Sequence, residues 1–207
     1  MSRWLLALHS STPVLGVAAL DLDAPDSSRR VLTRPAGREL TNGLPVAVQE
    51  LLPADQWANI VRLAVAKGPG GFTGTRLTVV MARTLAQQLA CPLDGWSSFA
   101  LMAPRLHQDG GMERSQDPFW IVQTLPRRGQ VGGEYRIGPE EGLVEELQEP
   151  HLLAEGEVAS PALTMAENVE ADVSRLLDLC LEAHRSGTSA PWQSVLPIYP
   201  TSPVGVV

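Results

Sequence analysis

The chain has 207 residues, a formal net charge of −7, 44% hydrophobic and 19% charged residues, the make-up of an ordinary soluble globular protein long enough for one large domain or two small ones. The acidic balance excludes broad, sequence-blind nucleic-acid binding, which runs on phosphate neutralisation, although a small local basic patch stays open. Two cysteines, Cys91 and Cys180, exclude a disulfide framework and fit a reducing cytoplasm, and no apolar run reaches the roughly 20 residues that span a bilayer.

The first elements are two apolar runs, Trp4–Leu8 and Leu15–Leu20, separated by the polar "HSSTPV". With only Arg3 as a basic flank, they read as a β-hairpin rather than a signal peptide. The charged "DLDAPDSSRR" is a turn into a short strand at Arg30–Thr33. In "GRELTNGLPVAVQELL" the residues Leu44, Val48, Leu51 and Leu52 share one side of a helix that Gly43 and Pro45 delay until about Leu44. "IVRLAVA" has the length and near-continuous apolarity of a buried parallel strand. It leads into "KGPGGFTGTR", a glycine-rich turn between a strand and a helix. The helix expected at Thr75–Ala90 carries Leu77, Met81, Leu85 and Leu89 every four residues, beside Val80, Ala82 and Ala86. Its polar face is only Arg76, Arg83, Thr84, Gln87 and Gln88. A helix this apolar is covered on more than one side, by its own domain or by a partner.

A short helix, Ser98–Leu106, closes the first half, and the polar, Gly-rich run from His107 to Pro118 marks a boundary. The expected domains are 1–106, with the glycine loop and the apolar helices, and a smaller 107–207. In the second, "FWIVQTL" is a strand, "PRRGQVGGEYRI" its turn and hairpin partner, and "PEEGLVEELQEP" an acidic exposed segment. A helix over Thr164–His184 carries Val169, Val173, Leu176, Leu177, Cys180 and Leu181, with room to pack back on the first half. The Pro/Gly-rich tail "VLPIYPTSPVGVV" is irregular. The element order is that of an α/β architecture.

The glycine loop does not match G-x-x-x-x-G-K-[ST], and its Gly68, Gly70 and Gly74 miss the G-x-G-x-x-G dinucleotide spacing. Two readings remain. Free amides at a helix start favour an anion, which makes Gly68, Gly70, Gly71, Thr73 and Gly74 the candidate anion or nucleotide site. Alternatively, the loop is a tight turn whose helix is capped internally by Thr73 or Thr75. No G-x-S-x-G elbow and no paired carboxylates in a recognisable frame suggest catalysis. The four histidines lack ligand spacing, so no metal site is expected. Cys91 and Cys180 read as core residues.

The stretch "LAVAKGPGGFTGTRLTVVMARTLAQQLACPLDGWSSFALMA" resembles the hallmark region of the TsaB (YeaZ) family over about 40 residues, with "GPGGFTGTR" as its most specific part. "WLLALHSSTPVLGVAAL", "GRELTNGLPVAVQELL", "PRRGQVGGEY" and "LPIYPTS" extend a weaker likeness along most of the chain. The resemblance implies an actin-like ATPase (ribonuclease H-like) fold, two small lobes with mixed sheets flanked by helices. It implies a non-catalytic scaffold that pairs with a TsaD-like transferase subunit and helps recruit a TsaE-like ATPase. The task is threonylcarbamoyl transfer to the adenosine beside the anticodon of tRNAs, with tRNA contacted only indirectly and no membrane involved. Pairing, with TsaD or as a homodimer, is implied to run through the two N-terminal helices, with Leu44, Val48, Leu51, Leu77, Met81 and Leu85 as contacts unless they are core. No cofactor is expected beyond a nucleotide at a subunit interface. The alternative is an actin-like nucleotide-binding phosphotransferase or ATPase.

The chain departs from the family pattern at several positions. His9 in "LALHSST" stands where the family has an Asp that organises magnesium and phosphates in actin-like ATPases, which argues against ATP hydrolysis. His9 is expected in the turn, bonded to nearby backbone. The segment Arg38–Pro45 lacks the H-x-x-x-H metal pair of the catalytic relative, so a metal-dependent peptidase lacks its ligands. Leu125 replaces an Asp, Gln130 a Glu and Thr201 an Arg. Arg127 and Arg128 form either a solvated hairpin turn or a contact to tRNA or a partner.

Overall fold

In a computed structural model, residues 2–24, 29–35, 40–112, 116–139 and 142–201 are described. The expected hairpin is β1 (Trp4–His9) and β2 (Val14–Asp21), paired antiparallel with His9 opposite Gly16. β3 (Arg29–Pro35) continues the meander beside β2. On the other side of β1 lies β4 (Ile60–Ala66), parallel to it, and then β5 (Leu93–Trp96), parallel to β4. The order β3-β2-β1-β4-β5, with three antiparallel strands followed by parallel ones, is the ribonuclease H-like sheet that the resemblance implies.

Strand alternation divides this sheet between two cores. Leu6, Leu8 and Val65 face α1 (Leu40–Leu51) and α2 (Phe72–Leu89), whereas Leu5, Ala7, Ala64 and Ala66 face α4 (Val169–Arg185). The helix α1 starts at Leu40, four residues earlier than the sequence suggests, and carries Gly43 and Pro45 within it. Burial of Leu40, Leu44, Ala47, Val48 and Leu51 along one stripe outweighs the backbone bond that the proline removes. The helix α2 likewise begins at Phe72, so half of the glycine signature is helix rather than loop.

The second sheet has the order β8-β7-β6-β9, from β6 (Phe119–Leu125), β7 (Gly129–Ile137), β8 (Val144–Leu152) and β9 (Ala162–Thr164). β6, β7 and β8 are antiparallel and β9 is parallel to β6. From Val144 on, the acidic segment, expected only as exposed chain, is therefore the edge strand β8, while 140–141 lie outside the described residues. Its polar side chains pair across to β7, with Arg136 Nη1 3.0 Å from Glu145 Oε2 and Gln148 Nε2 donating to Glu134 Oε2 at 3.1 Å. The helix α3 (Ser98–Asp109) crosses the 106/107 boundary and packs Phe99, Met102 and Leu106 against Phe119, Ile121 and Tyr135 of the second sheet. The helix α4 covers the first sheet with Val173, Leu176, Leu177 and Cys180. It starts at Val169, where the Asn168 side chain accepts from the Ala171 amide, rather than at Thr164.

Candidate functional site at the glycine loop

Three segments meet where β1 and β4 end: the β1–β2 turn, the loop from Lys67 to Gly71, and the first turn of α2. The glycines set how closely they meet. A Cβ on Gly70 would lie 1.9 Å from the Ser11 carbonyl oxygen, and one on Gly74 2.7 Å from the Ser10 carbonyl oxygen. The Gly71 amide donates to Ser11 O at 2.8 Å, and the Ser10 hydroxyl donates to Gly74 O at 2.9 Å while also touching the Thr78 hydroxyl. Space that a phosphate could take above Gly70 thus holds the backbone of the β1–β2 turn. Gly68, at φ +97°, turns the chain, and its carbonyl accepts from the Ser98 amide at 2.7 Å.

The expected cap is absent. Gly71 is the N-cap of α2 and makes no side-chain capping bond, Thr73 is exposed, and the Thr75 hydroxyl is buried without a partner. The first helical bond runs from the Thr75 amide to Gly71 O at 3.0 Å, which leaves Phe72, Thr73 and Gly74 amides without an intrahelical acceptor. The anion reading of the sequence therefore narrows to this helix start, since the Gly71 amide is already engaged.

The C-terminal tail also reaches the loop, which sequence reasoning missed. The Ile198 amide donates to Lys67 O at 2.8 Å, and Tyr199 packs its ring on Phe72 with centroids 4.9 Å apart. Between the loop, the second sheet and the tail lies a cleft of about 310 Å³, bordered by Ser11, Gly70, Gln123, Glu167 and Thr201. An outer groove of about 460 Å³ runs from Gly70 and Phe72 to Arg128 and Tyr199. Arg127 sits in the β6–β7 turn at φ +65°, and Arg128 Nη1 is 3.5 Å from the Thr201 hydroxyl. Both arginines are exposed.

His9 is not a turn residue bonded to backbone. It is the last residue of β1, fully buried, with neither ring nitrogen bonded. Burial lowers its pKa to about 4, so a neutral imidazole stands where the family pattern has a carboxylate. Among the described residues no three His, Cys, Asp or Glu side chains converge on a point that could hold a metal ion.

The six expected contact residues do not share one surface. Leu44 and Val48 are wholly buried and Leu51 nearly so, packed in the core beneath α1, while Leu77, Met81 and Leu85 are half-buried on its margin. The large apolar side chains that α1 and α2 do expose are Val46 (48%), Val80 (51%) and, at the start of α2 against Tyr199, Phe72 (39%). Helical periodicity shows which residues share a face, but not which face is outward when both are apolar.

The family model for TsaD, tRNA N6-adenosine threonylcarbamoyltransferase, matches residues 31–141, just over half of the chain. The chain belongs to that family. Its TsaB/YeaZ character is carried by the tRNA threonylcarbamoyladenosine biosynthesis protein TsaB of Bacillus subtilis (strain 168), 32% identical over 136 residues and 61% of this chain. This TsaB/YeaZ-type chain spans about half the length of that curated relative, 52% of it being covered. Two solved structures from Pseudomonas aeruginosa have the same fold. One, a protein with similarity to peptidase YeaZ, superposes with a TM-score of 0.71 at 21% identity, over 96% of this chain and 100% of that one. The other, YeaZ, gives 0.69 at 22%, over 95% and 99%. Among the described residues of this TsaB/YeaZ-type chain, no helix is long and apolar enough to cross a membrane.

Proposed function

We propose that the chain is a TsaB-like, non-catalytic scaffold that pairs with a TsaD-like transferase subunit and supports threonylcarbamoyl transfer to the adenosine next to the anticodon of tRNAs. The observation that carries the non-catalytic part is the filled glycine loop. Ser11 O occupies the place above Gly70, the Gly71 amide is spent on it, and the nearby acid position holds a buried, uncharged His9. The amides of Phe72, Thr73 and Gly74 stay open to an anion, but a nucleotide triphosphatase also needs a charged metal-organising group at that point, which His9 does not supply. The match to the TsaD family model and the identity to a TsaB support the pathway.

In this reading the partner lies on α1 and α2, with Val46, Val80 and the half-buried Leu77, Met81 and Leu85 at the contact. Without TsaD the same face pairs two copies, and a TsaE-like ATPase joins the assembled pair in the cytoplasm. The tRNA is held mainly by the partner, as the net charge of −7 suggests. Depleting the protein in its own cells tests this. Threonylcarbamoyladenosine in bulk tRNA should fall and return with the re-supplied gene, and unchanged levels in cells without a second homologue would overturn the reading. Saturable ATP turnover by the isolated chain, lost on altering Gly70 or Gly71, would overturn its non-catalytic part.

A further inference from the structure

A pocket of about 260 Å³ lies between β5, the start of α3, α4 and the β7–β8 turn, and shares no residue with the glycine loop. Its walls are apolar, from Trp96, Leu143, Val144 and Leu179. The helix α4 lines it with Arg175, Leu179, Glu182 and Ala183, and its C-cap Ser186 continues the same side, spaced as one helical stripe beside the stripe that packs on the sheet.

The polar groups at the pocket are unbalanced. Asp94 is spent on Arg62, which binds both its oxygens at 2.6 and 2.8 Å. The guanidinium of Arg175 donates through Nη2 to Gly142 O at 2.7 Å, but its Nε is buried without a partner. Among the described residues it forms no ion pair. Burial pulls its pKa down, opposed by the more distant charges of Asp178, Glu182 and Asp172. Gly142 leaves room beside Nη1, since even a Cβ there would stand 3.7 Å away. The indole Nε1 of Trp96 is a second buried donor with no acceptor. Glu182 is exposed at the rim.

A half-buried guanidinium with an occluded, unpartnered Nε and no paired carboxylate among the described residues is costly, and an anion placed at its Nη1 relieves that cost. Apolar walls with a few oriented polar groups are how small-molecule pockets select their ligand, and of the acids at this one Asp94 is already paired with Arg62 and Glu182 lies at the exposed rim. We propose that this pocket binds a small organic carboxylate with an apolar body, its carboxylate on Arg175 and its body among Trp96, Leu143 and Leu179. The site is separate from the partner face and does not depend on the scaffold reading.

Benzoate and its neutral counterpart benzamide test the proposal on the full chain by 1H–15N NMR. The indole signal of Trp96, assigned with Trp96→Phe among the five tryptophans, reports on the pocket. Benzoate should shift it saturably together with the Leu143 and Val144 amides, and benzamide should bind about tenfold more weakly for want of the charge-assisted bonds. Arg175→Gln should make the two probes equal. Leu143→Trp, which fills the pocket from a position already 42% exposed, should abolish both responses without touching the guanidinium. No saturable shift, equal affinities in the unaltered protein, or an unchanged response in Leu143→Trp would each overturn it.

Discussion

Gly70 shows how one residue decides between a phosphate loop and a structural one. Both readings need glycine, for opposite reasons: one to leave room for an anion, the other because the room is already taken. The 1.9 Å approach to Ser11 O selects the second at that position. Gly70→Ala should therefore cost stability, by about 1–3 kcal/mol or more as for other overpacked sites, seen as a lower melting temperature. Gly71, whose Cβ would meet only Ser11 O at 3.9 Å, should accept alanine far more easily. Equal melting temperatures for the two variants would mean that the β1–β2 turn does not press on Gly70.

His9 gives the second residue-scale test. Its folded pKa, about 4, lies below the ordinary 6.5 because burial disfavours the charged ring. Its contribution to stability is therefore full above pH 6.5 and is lost as pH falls through the window down to 4, in all about 3 kcal/mol. Asp172 works the other way. Burial raises its pKa to about 6 from 3.8, so its contribution is full below 3.8 and lost as pH rises to 6. The two partly cancel in the unaltered protein, and the His9→Asn variant separates them. Between pH 7.5 and 5 that variant should gain about 2 kcal/mol relative to the unaltered protein in denaturant titrations. No relative gain would show that His9 titrates normally.

At the scale of elements, much of the fold was legible because burial writes a period into sequence. The runs "WLLALH" and "IVRLAVA" and the stripes of α2 and α4 emerge within a few residues of expectation. The strands that escaped notice lack that signature. β5 is the four residues "LDGW", held by its pairing to β4 and by the Arg62–Asp94 ion pair, while β9 has three residues and β8 is mostly exposed. Their existence follows from neighbours distant in sequence, which local propensity does not carry. The candidate site was legible as a loop, but its filling by Ser10 and Ser11 and its cover by the tail were not, because both are contacts across more than fifty residues of chain.

The same limit applies to the partner face, and α1 and α2 now offer a sharper test. Leu44 is core, so Leu44→Ala should lower stability by about 2–5 kcal/mol whether or not a partner is present. Val46 and Val80 are half-exposed, so changing both to Glu should leave the melting temperature of the monomer almost unmoved. Under the proposed pairing, that double variant should lose co-purification with the TsaD-like subunit and any homodimer in sedimentation. Undiminished pairing would move the interface off these helices.

The whole molecule repeats one design twice. Each sheet has three antiparallel strands and then a strand parallel to the first, in the order 3-2-1-4, and only the first sheet adds a fifth. The helices do not respect the division: α3 serves the second sheet and α4 the first. A fragment of residues 1–106 would keep β1 to β5 but lose Val173, Leu176, Leu177 and Cys180, leaving Leu5, Ala7, Ala18, Ala64 and Ala66 in water on one whole face. Such a face drives association or collapse rather than a packed fold. The fragment should therefore be aggregated or lack a cooperative thermal transition when made alone. Co-expression with 107–207 should return a soluble one-to-one complex, since the second fragment supplies the missing α4. A monomeric 1–106 that melts cooperatively would show that α1 and α2 on the opposite face suffice to hold the first sheet, and that the helix exchange adds little to the stability of the fold.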